Sequence, residues 1–214
     1  MSDTSTSSNR STLWVVVGLV VVVGVFVVTF LSSGTGGSDY EVEGFGDVEV
    51  VGNLPPLAPG AQGVVADDAA VGMKAPEIRG TDYNGETVEL LDDGVPKIVV
   101  FLAHWCGFCQ AEVPQLVERL GDSNVQNGVE FYFVATASNR TRDNWSPAAW
   151  LDREGLPGPI IMDDVDTSAL DAYGIGAFPG WAMIGADGTI VARATGQLGA
   201  DVVDALILLT ALPE

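Results

Sequence analysis

Both cysteines of this 214-residue chain fall in one pentapeptide, Trp105-Cys106-Gly107-Phe108-Cys109, at the point where a buried strand must hand over to a helix. Before them, Lys97-Ile-Val-Val-Phe-Leu-Ala103 is apolar after its lysine and rich in β-branched residues, the pattern of a strand covered on both faces. After them, Gln110-Ala-Glu-Val-Pro-Gln-Leu-Val-Glu-Arg-Leu120 sets Val113, Leu116, Val117 and Leu120 at helical spacing. A strand hidden on both faces needs helices above and below it, so an α/β domain is expected.

That position has chemical consequences. Cys106 is predicted at or just before the first helical turn, where unpaired backbone N–H groups and the positive end of the helix dipole favour its thiolate. A pKa lowered from about 8.5 to about 6.5 raises the thiolate fraction at neutral pH from roughly 3% to roughly 75%. The attack rate gains only about two- to threefold, because nucleophilicity falls as the thiolate is stabilised. The equilibrium gains more: a stabilised thiolate makes the pair a stronger oxidant.

Trp-Cys-x-x-Cys after an apolar strand, followed by Glu112-Val-Pro114, resembles the thioredoxin-like superfamily, and within it the membrane-tethered, extracytoplasmic TlpA/ResA-type oxidoreductases. Ala75-Pro-Glu-Ile78 with Asn84-Gly-Glu-Thr-Val-Glu-Leu90 resembles the opening of such domains, and Tyr173-Gly-Ile-Gly-Ala-Phe-Pro179 the segment that carries their cis-proline. The resemblance covers residues 73–214. It implies a thioredoxin-like fold, a central mixed sheet flanked by helices, with Cys106 and Cys109 as a redox disulfide. It also implies a cis bond before Pro179, which would place the Phe178 backbone beside the disulfide for strand addition by an extended substrate.

Two other readings of the cysteine pair stand against this. Structural zinc needs four ligands, and the chain offers no second cysteine pair and one histidine, His104, so no metal is expected. A static disulfide over so short a loop would stabilise little.

The region ahead of this domain has its own signals. Residues 13–31 are nineteen uncharged, mostly apolar residues, long enough at about 1.5 Å per residue to cross about 30 Å of hydrocarbon. We read one transmembrane helix. The alternative, a cleaved signal peptide, has a weak small-residue site at Ser32-Ser33-Gly34. Arg10 precedes the span and no Lys or Arg follows until Lys74, which puts residues 1–12 in the cytoplasm and the rest outside. Residues 32–72 are rich in Gly, Ser, Pro, Asp and Val without a sustained period and read as a flexible linker with a short strand near 48–51. Such a tether reaches roughly 35 Å.

A formal net charge of −20, with twenty-nine acids and two lysines, argues against nucleic-acid partners. It matches two settings equally: a high-salt habitat, where screening removes self-repulsion, and an exported domain kept soluble by charge.

Past the cysteines, strands and helices alternate. Val129-Glu-Phe-Tyr-Phe-Val-Ala-Thr136 reads as a strand, and residues 146–154 as a helix with Ser146 as cap and Pro147 in the first turn. Residues 159–162 read as a short strand, 168–173 as a helix, and 181–184 with 189–193 as a hairpin turning at Asp187-Gly188. Residues 199–212 read as the closing helix.

Glu112 lies three residues after Cys109 on the same helical face, where its carboxylate could move the resolving thiol's proton. Thioredoxins proper carry a buried aspartate on the preceding strand; Val100 stands at that position here. The competing reading of Glu112 is a surface acid. Pro114 kinks the helix. Trp105 and Trp181 read either as an apolar lip around the cysteines or as core. His104 reads as a solvent-facing spacer, or as a cation favouring the thiolate.

The expected function is a membrane-anchored, extracytoplasmic thiol–disulfide oxidoreductase, with Cys106 as nucleophile, Cys109 as resolver, Glu112 as proton shuttle, and Trp105, Phe178 and Pro179 touching substrate. No cofactor is expected. The resemblance implies exported cysteine-containing proteins as partners and a membrane electron donor or acceptor, with reduction, as in cytochrome maturation, the implied direction. Gly107-Phe108 matches neither the Gly-Pro of reducing thioredoxins nor the Pro-His of strong oxidants. Alternatives are a disulfide-forming oxidant and a thioredoxin-fold adaptor whose cysteines are incidental. A peroxide reductase fits less well, for want of a Thr-x-x-Cys pattern.

Overall fold

The structure is a computed structural model that describes residues 44–212. The expected transmembrane helix over residues 13–31, the cytoplasmic segment before it and residues 32–43 of the linker lie outside the described residues. No helix among the described residues is long and apolar enough to cross a membrane.

In chain order the strands are β1 (Val48–Val51), β2 (Gly63–Val64), β3 (Glu77–Thr81), β4 (Thr87–Leu90), β5 (Lys97–Leu102), β6 (Val125–Gln126), β7 (Val129–Ala135), β8 (Ile160–Met162), β9 (Gly180–Ile184) and β10 (Ile190–Thr195). The helices are α1 (Gly107–Leu120), α2 (Pro147–Glu154), α3 (Ser168–Ala172) and α4 (Ala200–Thr210). The strands form one mixed sheet in the order β1-β3-β8-β7-β5-β9-β10-β2, with β4 added on β3 and β6 on β7.

Strand β5 is central: every residue is buried, with β7 parallel on one side and β9 antiparallel on the other. Its alternate side chains feed two separate cores. Ile98, Val100 and Leu102 pack with Val113 and Leu116 of α1 and Val203 and Leu206 of α4, whereas Val99 and Phe101 pack with Leu170 of α3, Tyr173 and Leu54. Burying each such side chain contributes about 1.5–3 kcal/mol, which fixes the strand's register on both faces. The expected thioredoxin-like α/β fold with a mixed sheet is therefore present, and β9, β10 and the turn at Asp187-Gly188 stand where the turn chemistry placed them.

The flexible linker predicted to residue 72 is corrected by the structure. The described residues, 44–212, belong to one compact unit. Within it β1 pairs with β3, while β2 pairs with β10 at the other end of the sheet order. Between them Leu54 and Ala70 are buried, and the Leu54 and Leu57 N–H groups donate to the Ala172 and Gly174 carbonyls at 2.8 Å each. A buried ion pair completes the attachment. Arg193 of β10, fully buried, donates from Nε and Nη2 to the two carboxylate oxygens of Asp68 at 2.7 and 2.6 Å. Burial alone would raise the Asp68 carboxyl, yet Arg193 and the Ala70 N–H hold it below its ordinary range. Residues 44–72 are thus a strap, held by backbone pairing and one ion pair rather than by a periodic apolar face.

Candidate active site

Strand β5 ends at Leu102, and three residues later the chain turns into α1 with Cys106 as its N-cap, at φ −80° and ψ 119°. The Cys106 carbonyl accepts the Gln110 N–H at 3.0 Å, the first bond of the helix. No side chain caps this end, which leaves the N–H groups of the first turn without a side-chain cap. Cys106 is half-buried and Cys109, one turn in, is fully buried; both are free thiols.

Cys109 sits under the first turn, its sulfur accepting the Ala103 N–H at 3.5 Å. Burial pushes its thiol far above the ordinary range, and the neighbouring Cys106 and Glu112 push in the same direction. The two sulfurs are therefore chemically unequal: one at the surface of the helix end, one stored as a thiol.

Phe178 and Pro179 meet the cysteines from β9's leading loop. The Phe178–Pro179 bond is cis, and the Phe178 carbonyl oxygen lies 3.8 Å from the Cys106 sulfur. Trp105 is half-buried, meets the Phe178 ring edge-to-face at 5.9 Å, and donates from Nε1 to the Ala137 carbonyl at 2.7 Å. Trp105, Phe178 and Cys106 thus share one rim. Trp181 does not belong to it: the indole is buried in the core beneath, with Nε1 donating to the Gly196 carbonyl.

Glu112 is no surface acid. Its side chain is 1% exposed, and the Leu198 N–H donates to its Oε2 at 3.1 Å. Burial pushes its carboxyl up to about 7, against the opposing pull of that N–H and of the Arg119 guanidinium. It lines a cavity of about 420 Å³ shared with Leu116, Arg119, Leu198 and Val203, a cavity that neither cysteine lines. Val100, where thioredoxins proper place an aspartate, is buried among apolar groups.

The sequence expectation for His104 is overturned. The ring is fully buried: Nε2 accepts the Asn139 N–H at 3.1 Å and Nδ1 donates to the Asp143 carbonyl at 2.7 Å. Burial lowers its pKa, so it is a neutral strut rather than a solvent-facing spacer or a cation beside the thiolate. The loop it holds, residues 137–145, escaped the sequence reading. It carries Arg142 stacked over the Trp105 ring at 4.8 Å and Arg140 over the Trp145 ring at 5.3 Å. Arg140-Thr-Arg142, in a chain with nine basic residues, was the signal available for it.

Known proteins match this architecture. The redoxin family profile matches residues 70–207. The thiol-disulfide oxidoreductase ResA of Halalkalibacterium halodurans is 31% identical over 124 residues, 58% of this chain and 67% of that one. ResA of Bacillus anthracis is 29% identical over 139 residues, 64% of this chain and 77% of that one. A Chlorobium tepidum structure described as a thiol:disulfide interchange protein DsbE superposes with a TM-score of 0.56 at 21% identity, over 66% of this chain and 98% of that one. The thioredoxin domain of a Bacteroides vulgatus thiol-disulfide oxidoreductase superposes with a TM-score of 0.51 at 23% identity, over 67% and 99%. On these matches the chain belongs to the redoxin family and is a thioredoxin-like protein thiol–disulfide oxidoreductase.

Proposed function

We propose that this oxidoreductase works outside the cytoplasmic membrane, tethered by residues 13–31, and uses Cys106-Gly107-Phe108-Cys109 to reduce disulfides in exported proteins. The observation that carries the reading is the inequality of the two thiols, Cys106 half-buried at the helix N-cap beside the Phe178 carbonyl and Cys109 buried one turn in. Cys106 attacks as thiolate; the client S–S bond breaks and one client sulfur leaves as a thiolate that takes up a proton. Glu112 then accepts the Cys109 proton, and Cys109 attacks the Cys106 sulfur. The mixed disulfide breaks, the second client sulfur departs, and two electrons have passed from the dithiol to the client. Trp105, Phe178 and Pro179 hold the client segment, which adds to the Phe178 backbone as an extended strand. A membrane electron donor must restore the dithiol, since the chain has no further cysteine.

The reducing direction corresponds to a low reduction potential, whereas strong oxidants owe theirs to a stabilised reduced form. Equilibrating the full chain against thiol buffers tests this: a potential near −270 mV or below, on the scale where about −120 mV marks a strong oxidant, fits the reductant. A value at the oxidising end reverses the direction.

The Glu112 role has a pH signature. With a carboxyl near 7, the ionised fraction that can accept a proton grows through neutrality, so resolution of the mixed disulfide is expected to accelerate from pH 6 to 8. In Glu112→Gln, resolution should slow about tenfold or more and lose that inflection, while attack by Cys106 changes little. Stopped-flow exchange with a small disulfide separates the two steps; an unaltered profile removes Glu112 from the mechanism. Stability carries the same signature with a definite sign. A carboxyl raised from about 4.3 when unfolded to about 7 when folded stabilises the fold below the lower value, and that contribution is lost as pH rises through the window. Glu112→Gln should flatten that decline in thermal melts.

The tether makes a cruder prediction. The mature chain should keep Trp14, stay with membranes through an alkaline wash, and lose its globular part to protease added outside spheroplasts. A mature N-terminus beyond Ser32, or protection from that protease, would replace the anchor or reverse the topology.

A further inference from the structure

We infer that the client segment docking at the dithiol is acidic, recognised by Arg142 over the face of Trp105 and by Arg140 over Trp145 in the same loop. This rests on the oxidoreductase reading above and names the class of client that it serves. Among the described residues eight side chains are basic, and six of them are ion-paired: Lys74 with Asp92, Arg79 with Glu89, Lys97 with Asp93, Arg119 with Asp204, Arg153 with Glu154 and Arg193 with Asp68. The two left without a carboxylate partner are Arg140 and Arg142, both exposed and both in the loop beside the cysteines.

A chain of net charge −20 supplies carboxylates in excess, so two cations left without a carboxylate partner in one loop are a local inversion of the surface charge. Asp143 is the one acid in residues 137–145, leaving that loop net positive. Stacking also prepares the two guanidinium groups. A guanidinium lying over an indole keeps its plane fixed and its N–H edges outward, matched to a carboxylate and losing little freedom on binding one. Neither side chain donates a hydrogen bond within the described residues, so those edges are available.

The placement joins this charge to the chemistry. Arg142 covers Trp105, Trp105 meets the Phe178 ring, and the Phe178 carbonyl stands beside the Cys106 sulfur. An extended client advances about 3.4 Å per residue, so a strand added along Phe178 carries residues two to four positions from its cysteine past the Trp105 rim. Glutamate or aspartate there meets positive charge. Lysine there meets the repulsion of the two guanidinium groups.

The test uses the reduced full chain in neutral detergent and three peptides with one intramolecular disulfide, flanked by Glu, Gln or Lys. At low salt the Glu peptide should be reduced about five- to tenfold faster than the Lys peptide, relative to their rates with dithiothreitol, with a ratio shrinking towards one near 1 M salt. Arg140→Gln with Arg142→Gln should collapse that ratio, Lys at both positions should retain most of it, and Arg79→Gln, remote and ion-paired, should keep it whole. Equal slowing of all three peptides in the Gln variant overturns the inference, because the arginines would then act on Cys106 rather than on the client. Equal rates in the unaltered chain also overturn it, leaving the redox reading intact. Reduction of none of the three overturns both.

Discussion

Cys106→Ser is expected to abolish disulfide exchange, by about three orders of magnitude or more, while Cys109→Ser should still attack and then stall as a mixed disulfide with its client. The difference follows from the geometry of one helical turn. Cys106 caps the helix beside the Phe178 carbonyl and can be approached from solvent; Cys109 is enclosed and its thiol is held protonated by burial. Alkylation of the reduced chain near neutral pH should accordingly mark Cys106 well before Cys109, and non-reducing gels of Cys109→Ser should show client adducts that dithiothreitol releases. Equal labelling, or a preference for Cys109, would undo the assignment of nucleophile and resolver. Persistence of client capture in Cys106→Ser would instead favour the adaptor reading, in which the cysteines are incidental.

Asp68→Ala should destabilise the fold by about 3–5 kcal/mol, because it leaves the Arg193 guanidinium buried without its counter-charge. Removing residues 1–72 should cost at least as much, since it also deletes β1 and β2 and uncovers the core around Leu54 and Ala70. A deletion ending at residue 40 leaves the compact unit whole and should melt like the full chain. Chemical denaturation at pH 7 measures all three. The Asp68 contribution also carries a sign in pH: a carboxyl held below its ordinary range stabilises the fold above about 3.9, and that stabilisation is lost as pH falls towards its lowered value. Acid therefore weakens the strap, whereas the Glu112 contribution weakens as pH rises. A melting midpoint in Asp68→Ala equal to that of the unaltered chain would show that the strap is not held by this pair.

What could be read from the sequence was whatever local pattern dictates. The unbroken apolar run of β5, the Ser146-Pro147 start of α2 and the Asp187-Gly188 turn each constrain the backbone within a few residues, and each was placed to within one or two positions. Of the strap only β1, the short strand expected near 48–51, was legible, because Leu54, Ala70 and Asp68 are isolated among exposed residues and their partners lie far along the chain. His104 failed for a related reason. Its burial depends on the Asn139 N–H and the Asp143 carbonyl, thirty-five and thirty-nine residues away, which satisfy both ring nitrogens. Glu112 was singled out by its spacing from Cys109, but its hydrogen-bond partner, the Leu198 N–H, comes from beyond β10. The helical pattern put it on the Cys109 face and left open whether that face was covered. Trp181 likewise needed its Gly196 partner to be assigned to the core.

The strap also sets an order of assembly. Asp68 closes on Arg193 across 125 positions, and the Ala61 carbonyl on the Thr195 hydroxyl across 134, so the early part of the domain is finished by the last of the described strands. Loop closure over such spans is slow compared with forming α1 against β5. On a chain made or translocated from its N-terminus, the dithiol helix can form while the belt still hangs open. Only arrival of β10 buckles it, and a chain cut short of β10 leaves β2 without its partner at that end of the sheet.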